Sequence, residues 1–280
     1  MKIFVTGASS FVGAHFCRGA ALAGHEVVGL VRSTPLSLPG VRTVQGDLAE
    51  VTPPPGCDLV VHLAAKVMAD DARVQNRWML DAVLGWGLPL VYASSTVVHW
   101  PVVLAYADSR IEDEARVRAS GAPWLIVRPC APYGPALSSH QPAHRESFHQ
   151  LGAWVRRYPV IPVVGSGLYR RQPVHVADFT AAILGLTAQR VWNHPFDAGG
   201  PAPLTLRAII RALGRAAGRR PLIASVPMAL AVRAAAVLPG FRPDLVATFA
   251  TDDVVDAAPL AAASGVTPRP FDPAEVYATV

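Results

Sequence analysis

Thr6-Gly7-Ala8-Ser9-Ser10-Phe11-Val12-Gly13 carries two glycines six residues apart near the start of the chain. It follows the β-rich run Lys2–Thr6 and opens a helical pattern from Phe11 to Ala23, which Gly24 ends. Gly7 permits the tight turn, and Gly13 lets the helix pack closely on the strand. The helix N-terminus between them presents free N–H groups, which suit the pyrophosphate of a dinucleotide. Ser10 stands where a middle glycine would fall and is small enough to leave the backbone approachable. Gly7, Ser9, Ser10, Phe11, Val12 and Gly13 are therefore candidate cofactor-binding residues. A glycine pattern alone is weak evidence, but this one follows a strand and opens a helix.

Working outward, short apolar runs recur at Glu26–Val31, Val41–Gln45, Leu59–Leu63, Leu90–Ala93 and Trp124–Val127. They are continuous rather than alternating, as strands buried on both faces are. Helical patterns separate them, which indicates βαβ units. The expected fold is α/β, a Rossmann doubly wound parallel sheet with a smaller, mainly helical C-terminal substrate lobe. Residues 1–135 read as the dinucleotide-binding domain, with roughly 172–200 returning to it. Residues 136–171 and 201–280 read as the lobe. Ser138–His149 is polar, holds His140, His144 and His149, and reads as a loop or lid.

Composition narrows the function classes. With 51% hydrophobic and 16% charged residues among 280, the chain can bury a large core and is not disordered. The most apolar candidate span, Val226–Phe241, contains Pro227, Arg233 and Pro239 and is too short for a bilayer, so a buried amphipathic helix is expected. Cys17, Cys57 and Cys130 share no metal-type spacing, so no metal site is expected. No charged segment with a cleavable apolar stretch opens the chain, and the expected location is cytoplasmic. Arg207, Arg211, Arg215 and Arg219 fall every four residues and read as a solvated helix face. Neither a nucleic acid nor a membrane is expected as a partner.

The end of the second strand bears on the choice of cofactor. An NAD site usually places an acidic residue there for the ribose hydroxyls. Here the strand ends Gly29-Leu30-Val31-Arg32-Ser33, and no acidic residue lies between Glu26 and Asp47. Arg32 suits a 2′-phosphate, so NADP(H) is favoured over NAD(H).

Several pieces in order resemble the extended short-chain dehydrogenase/reductase family, also called the NAD-dependent epimerase/dehydratase family. They are Thr6–Gly13, Gly46-Asp47-Leu48, Val61-His62-Leu63-Ala64-Ala65, Tyr92-Ala93-Ser94-Ser95-Thr96, Tyr106-Ala107-Asp108-Ser109-Arg110, Arg128-Pro129 with Tyr133-Gly134-Pro135, and Pro173–Asp178. The resemblance implies that Asp47 and Leu48 touch adenine, that Ala64 and Ala65 line the cofactor cleft, and that Pro129 flanks the nicotinamide. It implies a structural role for Asn76, and His175–Asp178 would bring the chain back to the Rossmann domain. Asp178 reads as the N-cap of a helix over Phe179–Leu186. The family's dimers imply a homodimer.

The resemblance also implies a catalytic group. Ser95 would orient a substrate carbonyl, with Ser94 and Thr96 as alternatives, and Tyr106 would act as general acid or base. Residue 110 lies four positions on, on the same helix face. A cation there should lower the phenol's pKa from its ordinary value of about 10. The family has lysine at this place and this chain has Arg110, which keeps the charge but not the shape. Arg110 either supports Tyr106 and reaches the nicotinamide ribose, or displaces the tyrosine, or is a surface charge. Downstream, Glu112 with Arg116 and Glu114 with Arg118 are spaced as helix ion pairs.

Three functions follow as expectations. The first is an NADP(H)-dependent reductase of a small-molecule ketone or aldehyde. The second is a nucleotide-sugar epimerase or dehydratase that retains NAD, although no Thr-Asp-Glu triplet follows the catalytic strand. The third is a non-catalytic NAD(P)-binding protein. His140, His144, Arg145, His149, Tyr169 and Arg171 are substrate-pocket candidates by location, each otherwise a loop surface residue.

Overall fold

The run Lys2–Thr6 forms β1, and every residue from Ile3 to Thr6 is buried. The computed structural model describes residues 1–66, 71–101, 105–143, 146–237, 246 and 250–280. After β1 come α1 (Phe11–Leu22), β2 (Glu26–Val31), β3 (Val41–Gln45), β4 (Leu59–His62) and α2 (Ala72–Leu84). Then follow β5 (Leu90–Ala93), a 3-10 turn (Thr96–His99), α3 (Ala105–Arg118) and β6 (Trp124–Pro129). The remaining part holds α4 (Ser147–Arg157), β7 (Val160–Val164), β8 (Arg170–Arg171), α5 (Val176–Ala188), β9 (His194–Ala198), β10 (Leu204–Thr205), α6 (Leu206–Ala216), β11 (Leu222–Val226), α7 (Met228–Val237) and α8 (Ala258–Ser264).

Seven strands form one parallel sheet in the order β3-β2-β1-β4-β5-β6-β9. Such a sheet needs helices on both faces, which is why its inner strands read as unbroken apolar runs. On one face Ile3, Val5, Phe16, Val61, Phe179 and Ile183 pack together. On the other, Phe4, Val60, Leu80, Tyr92, Val117 and Ile126 form a second cluster. Each such side chain, fully buried, contributes about 1.5–3 kcal/mol. Small residues bring α1 close to α5: a Cβ on Gly19 would stand 2.7 Å from the Thr180 methyl.

A third cluster holds Tyr133, Phe148, Val155, Ile161, Ile209 and Leu213. It joins α4 and α6 to a parallel pair, β7 with β11, and a short antiparallel pair, β8 with β10, lies beside α6. The helix expected over Val226–Phe241 forms at Met228–Val237, because Val226 ends β11 and Pro227 breaks the chain direction; residues 238–241 lie outside the described residues. It is not buried as expected: Ala235 is covered, but Leu230 and Val232 stand exposed. Ala and Val recur all round this helix, so it has no narrow apolar stripe to seat.

The return from residue 171 to the main sheet is made by backbone bonds. Tyr133 N donates to Val174 O at 3.0 Å, and Val174 N donates to Cys130 O at 3.1 Å. Asp178 is not the N-cap of the following helix. His175 holds that place, with its Nδ1 accepting from Ala177 N at 3.2 Å, because the helix begins at Val176. The Asp178 carboxylate instead accepts from Arg269 Nε at 2.9 Å. Among the described residues no helix is long and apolar enough to cross a membrane, and no group of three His, Cys, Asp or Glu is placed to hold a metal.

Candidate active site

The chain steps outward from β1 to β2 and β3, then crosses back to β4 on the other side of β1. That reversal opens a crevice at the carboxyl ends of β1 and β4. Gly7 turns there with φ +70°, and a Cβ on it would fall 2.5 Å from Ala64 N. A Cβ on Gly13 would fall 2.1 Å from Gly7 O. Both positions therefore require glycine. Ser10 Oγ accepts from Gly13 N at 2.9 Å and caps α1. Phe11 and Val12 N–H groups find no acceptor among the described residues, as expected of a first helical turn. These two amides, aligned with the positive end of the helix, fit a dinucleotide's phosphates.

The other cofactor candidates line the same ends of the strands. Ala64 and Ala65 follow β4 and abut the glycine turn. Asn76 on α2 holds that segment, accepting from Lys66 N at 2.7 Å and donating to Lys66 O at 2.9 Å. Asp47 and Leu48 follow β3; Asp47 accepts from Ala49 N at 3.2 Å and Leu48 is buried. Arg32 follows β2 and is exposed, its side chain without a partner among the described residues. Pro129 ends β6, and its carbonyl faces Thr96 Oγ1 at 3.5 Å. His140, expected at the loop surface, is buried: its Nε2 faces Ser9 O at 2.9 Å and its Nδ1 faces Pro35 O at 3.2 Å. It ties the glycine loop to the loop after β2.

Beside the glycine loop lies a cavity of about 450 Å³, lined in part by Phe11, His15, Leu137, His140 and His149. His149 falls in α4 rather than in a loop, and its Nε2 donates to Gly134 O at 2.9 Å. Tyr169, also expected at the surface, is buried; Arg171 donates to Thr251 O and its guanidinium lies 5.5 Å from the Trp100 ring centre. His144 and Arg145 lie outside the described residues.

At the end of β5 three hydroxyls diverge. Ser94 Oγ is buried without a hydrogen-bond partner among the described residues, and Thr96 Oγ1 turns towards Pro129 O at 3.5 Å. Ser95 starts the 3-10 turn and lies against the Tyr106 phenol, where it favours the phenolate. Ser95 and Tyr106 are thus brought together. Arg110 is not a surface charge: it is 1% exposed. Its guanidinium lies 5.3 Å from the Tyr106 ring centre, 5.5 Å from that of Tyr92, and 3.0 Å from the Asp113 carboxylate. Tyr92 OH donates to Asp113 at 2.9 Å, and the Tyr92 ring stacks on His62, whose Nδ1 pairs with Thr6 Oγ1 at 2.7 Å. Arg110 Nε has no hydrogen-bond partner among the described residues.

Arg110 acts in the expected direction on the tyrosine, but its effect is outweighed. Burial pushes the Tyr106 phenol above its ordinary value, and Arg110 offsets this only in part because Asp113 shares its charge. Sequence reading missed Glu146, which acts electrostatically on Tyr106. It holds the N-cap position of α4 without capping it, and burial pushes its carboxyl up to about 7. Nothing in its spacing marked it. Glu114 was also underrated: it is buried and accepts from Arg128 at 2.6 and 2.7 Å as well as from Arg118 at 2.8 Å. Arg128 reaches on to Asp197 at 3.2 Å. The expected pair of Glu112 with Arg116 does not form; Glu112 takes Arg73 and Arg116 takes Asp81, because α2 packs alongside α3.

Residues 3–94 match the NAD dependent epimerase/dehydratase family. Over that third of its length the chain is similar to members of that family. It is 32% identical over 200 residues to a ceramide reductase of Caulobacter vibrioides, covering 65% of this chain and 59% of that protein. It is 44% identical over 71 residues to a 2-alkyl-3-oxoalkanoate reductase of Shewanella oneidensis, covering 22% of this chain and 18% of that protein. The chain therefore matches little more than half of the first relative's length and less of the second's. Its fold is that of UDP-glucuronic acid 4-epimerase from Bacillus cereus, solved in complex with NAD. The TM-score is 0.75 at 18% identity, covering 100% of this chain and 97% of that one.

Proposed function

We propose that this chain belongs to the NAD dependent epimerase/dehydratase family and is an NADP(H)-dependent reductase that converts a ketone or aldehyde of a small molecule to the alcohol, with Tyr106 as general acid. The observation that carries the proposal is the Ser95–Tyr106 pair at the carboxyl end of the sheet, beside the glycine loop. The named activities of the ceramide reductase and the 2-alkyl-3-oxoalkanoate reductase support the reaction class. Arg32, exposed and without a side-chain partner among the described residues, with no acidic residue between Glu26 and Asp47, supports NADP(H) over NAD(H).

Gly7, Phe11, Val12 and Gly13 would hold the phosphates, and Arg32 the 2′-phosphate. The nicotinamide, when bound, supplies the hydride. Ser95 orients the carbonyl oxygen towards the phenol. Tyr106 gives its proton to that oxygen, and a buried phenol is still protonated at neutral pH for this purpose. The Arg110 charge over the ring then stabilises the phenolate left behind.

The test is NADPH oxidation against a panel of ketones and aldehydes, with wild type beside Tyr106→Phe. A fall of about 10²-fold or more in kcat is expected for the variant. Turnover that survives in Tyr106→Phe removes the tyrosine from the mechanism. NAD⁺ retained through purification, with no net NADPH oxidation, would favour an epimerase instead.

A further inference from the structure

The helices α4 and α6 each run directly into one strand of the parallel pair β7 and β11, which begin in register at Val160 and Leu222. The two helix-to-strand junctions therefore lie side by side on one edge. One junction reads Arg156-Arg157-Tyr158-Pro159, the other Arg219-Arg220-Pro221 after the turn at Gly218. All four arginines are exposed, and none has a carboxylate partner among the described residues. Arg156 lies 3.9 Å from the Tyr277 ring centre and Arg157 lies 5.7 Å from that of Tyr158, which leaves both charges in place. Between Asp197 and Asp244 the chain has seven arginines and no acidic residue. Leu222 is 66% exposed, Tyr158 48% and Val160 43%, among these cations.

Cations at helix C-termini complement the macrodipole, and that accounts for Arg156 and Arg157. It does not account for Arg219 and Arg220, which lie beyond α6, nor for large apolar side chains left in water between them. We propose that this edge docks on an anionic phospholipid surface. The arginines meet lipid phosphates, and Leu222, Val160 and Tyr158 enter the boundary between headgroups and acyl chains. A nucleic acid or an acidic protein would satisfy the charge but gain little from exposed Leu and Val. A bilayer surface takes both. The expectation of no membrane partner rested on the lack of a spanning segment, which surface docking does not need.

The test is co-sedimentation of the full chain with vesicles of phosphatidylcholine containing phosphatidylglycerol, and with phosphatidylcholine alone. Binding to the anionic vesicles is expected, weakening at high salt, with little binding to the neutral ones. The double variant Arg219→Ser, Arg220→Ser should lower the partition coefficient about 30-fold, at about 1 kcal/mol per basic residue. Leu222→Ser should lower it while leaving the salt dependence unchanged. All three positions are exposed, so unaltered thermal melts separate lost docking from lost folding. No sedimentation, or equal binding to neutral vesicles, overturns the proposal. So does binding to duplex DNA that matches vesicle binding and is indifferent to Leu222→Ser.

Discussion

The Arg110 guanidinium covers the Tyr106 ring at 5.3 Å while pairing with Asp113 at 3.0 Å, one turn further along α3. Both members of that ion pair are almost wholly buried. Removing one charge of a buried pair leaves the other uncompensated and costs more than the pair contributes. Asp113→Asn is therefore expected to lower unfolding stability by about 3 kcal/mol in urea denaturation. A loss near zero would mean that solvent reaches Arg110.

Arg110→Lys tests what the guanidinium does for Tyr106. A lysine can keep the ion pair with Asp113, but its compact ammonium cannot lie flat over two rings. If Arg110 acts by supporting Tyr106, as its position over the ring indicates, kcat should fall with the Michaelis constant for NADPH unchanged. The loss of a cation–π contact of about 1 kcal/mol corresponds to about fivefold. A Michaelis constant that rises while kcat holds would instead place Arg110 on the nicotinamide ribose.

Much of this arrangement was legible in the residues themselves. Lys2–Thr6, Glu26–Val31 and Leu90–Ala93 form strands over the spans their apolar runs indicate, because a sheet covered on both faces demands continuous hydrophobic stretches, whereas Val41–Gln45 forms the expected strand at the sheet edge with Arg42, Thr43 and Gln45 exposed. The roles of Ser95 and Tyr106 come from the family resemblance; the fold places the two side chains near each other. Other features depend on tertiary contacts that no local pattern carries. Helix spacing suggested Glu112 with Arg116, but the packing of α2 on α3 supplied nearer partners, Arg73 and Asp81. Asp178 had the composition of an N-cap, yet backbone bonding at Val174 started the helix earlier and Arg269 took the carboxylate. Glu146 is marked only by what surrounds it in space.

Two buried histidines make the fold sensitive to acid. Burial holds His62 down at about 3 and His15 at about 4, against an ordinary 6.5. Below pH 6.5 the unfolded chain takes up protons that these folded imidazoles refuse, so stability rises with pH across that window and is lost as pH falls. Each site contributes about 1.4 kcal/mol per pH unit until its folded pKa is reached. His62→Gln can keep a hydrogen bond to Thr6 and does not titrate. Between pH 7 and pH 5 its melting temperature is expected to fall less than that of wild type. Equal falls would show that His62 is protonated in the folded state.

Glu146 works in the opposite sense. Its folded carboxyl is raised to about 7 from an ordinary 4.5, so between those values the folded protein holds a proton that the unfolded chain has released. Stability therefore declines as pH rises through this window, and the full penalty of a buried carboxylate is present above about 7. Glu146→Gln mimics the protonated form in size and hydrogen bonding. It should match wild type in melting temperature at pH 5 and exceed it at pH 8. Because the Glu146 charge also opposes ionisation of Tyr106, the variant's rate of alcohol oxidation with NADP⁺ should rise at a lower pH than the wild type's. A melting difference that does not change between pH 5 and pH 8 would show that this carboxyl is ionised and solvated throughout.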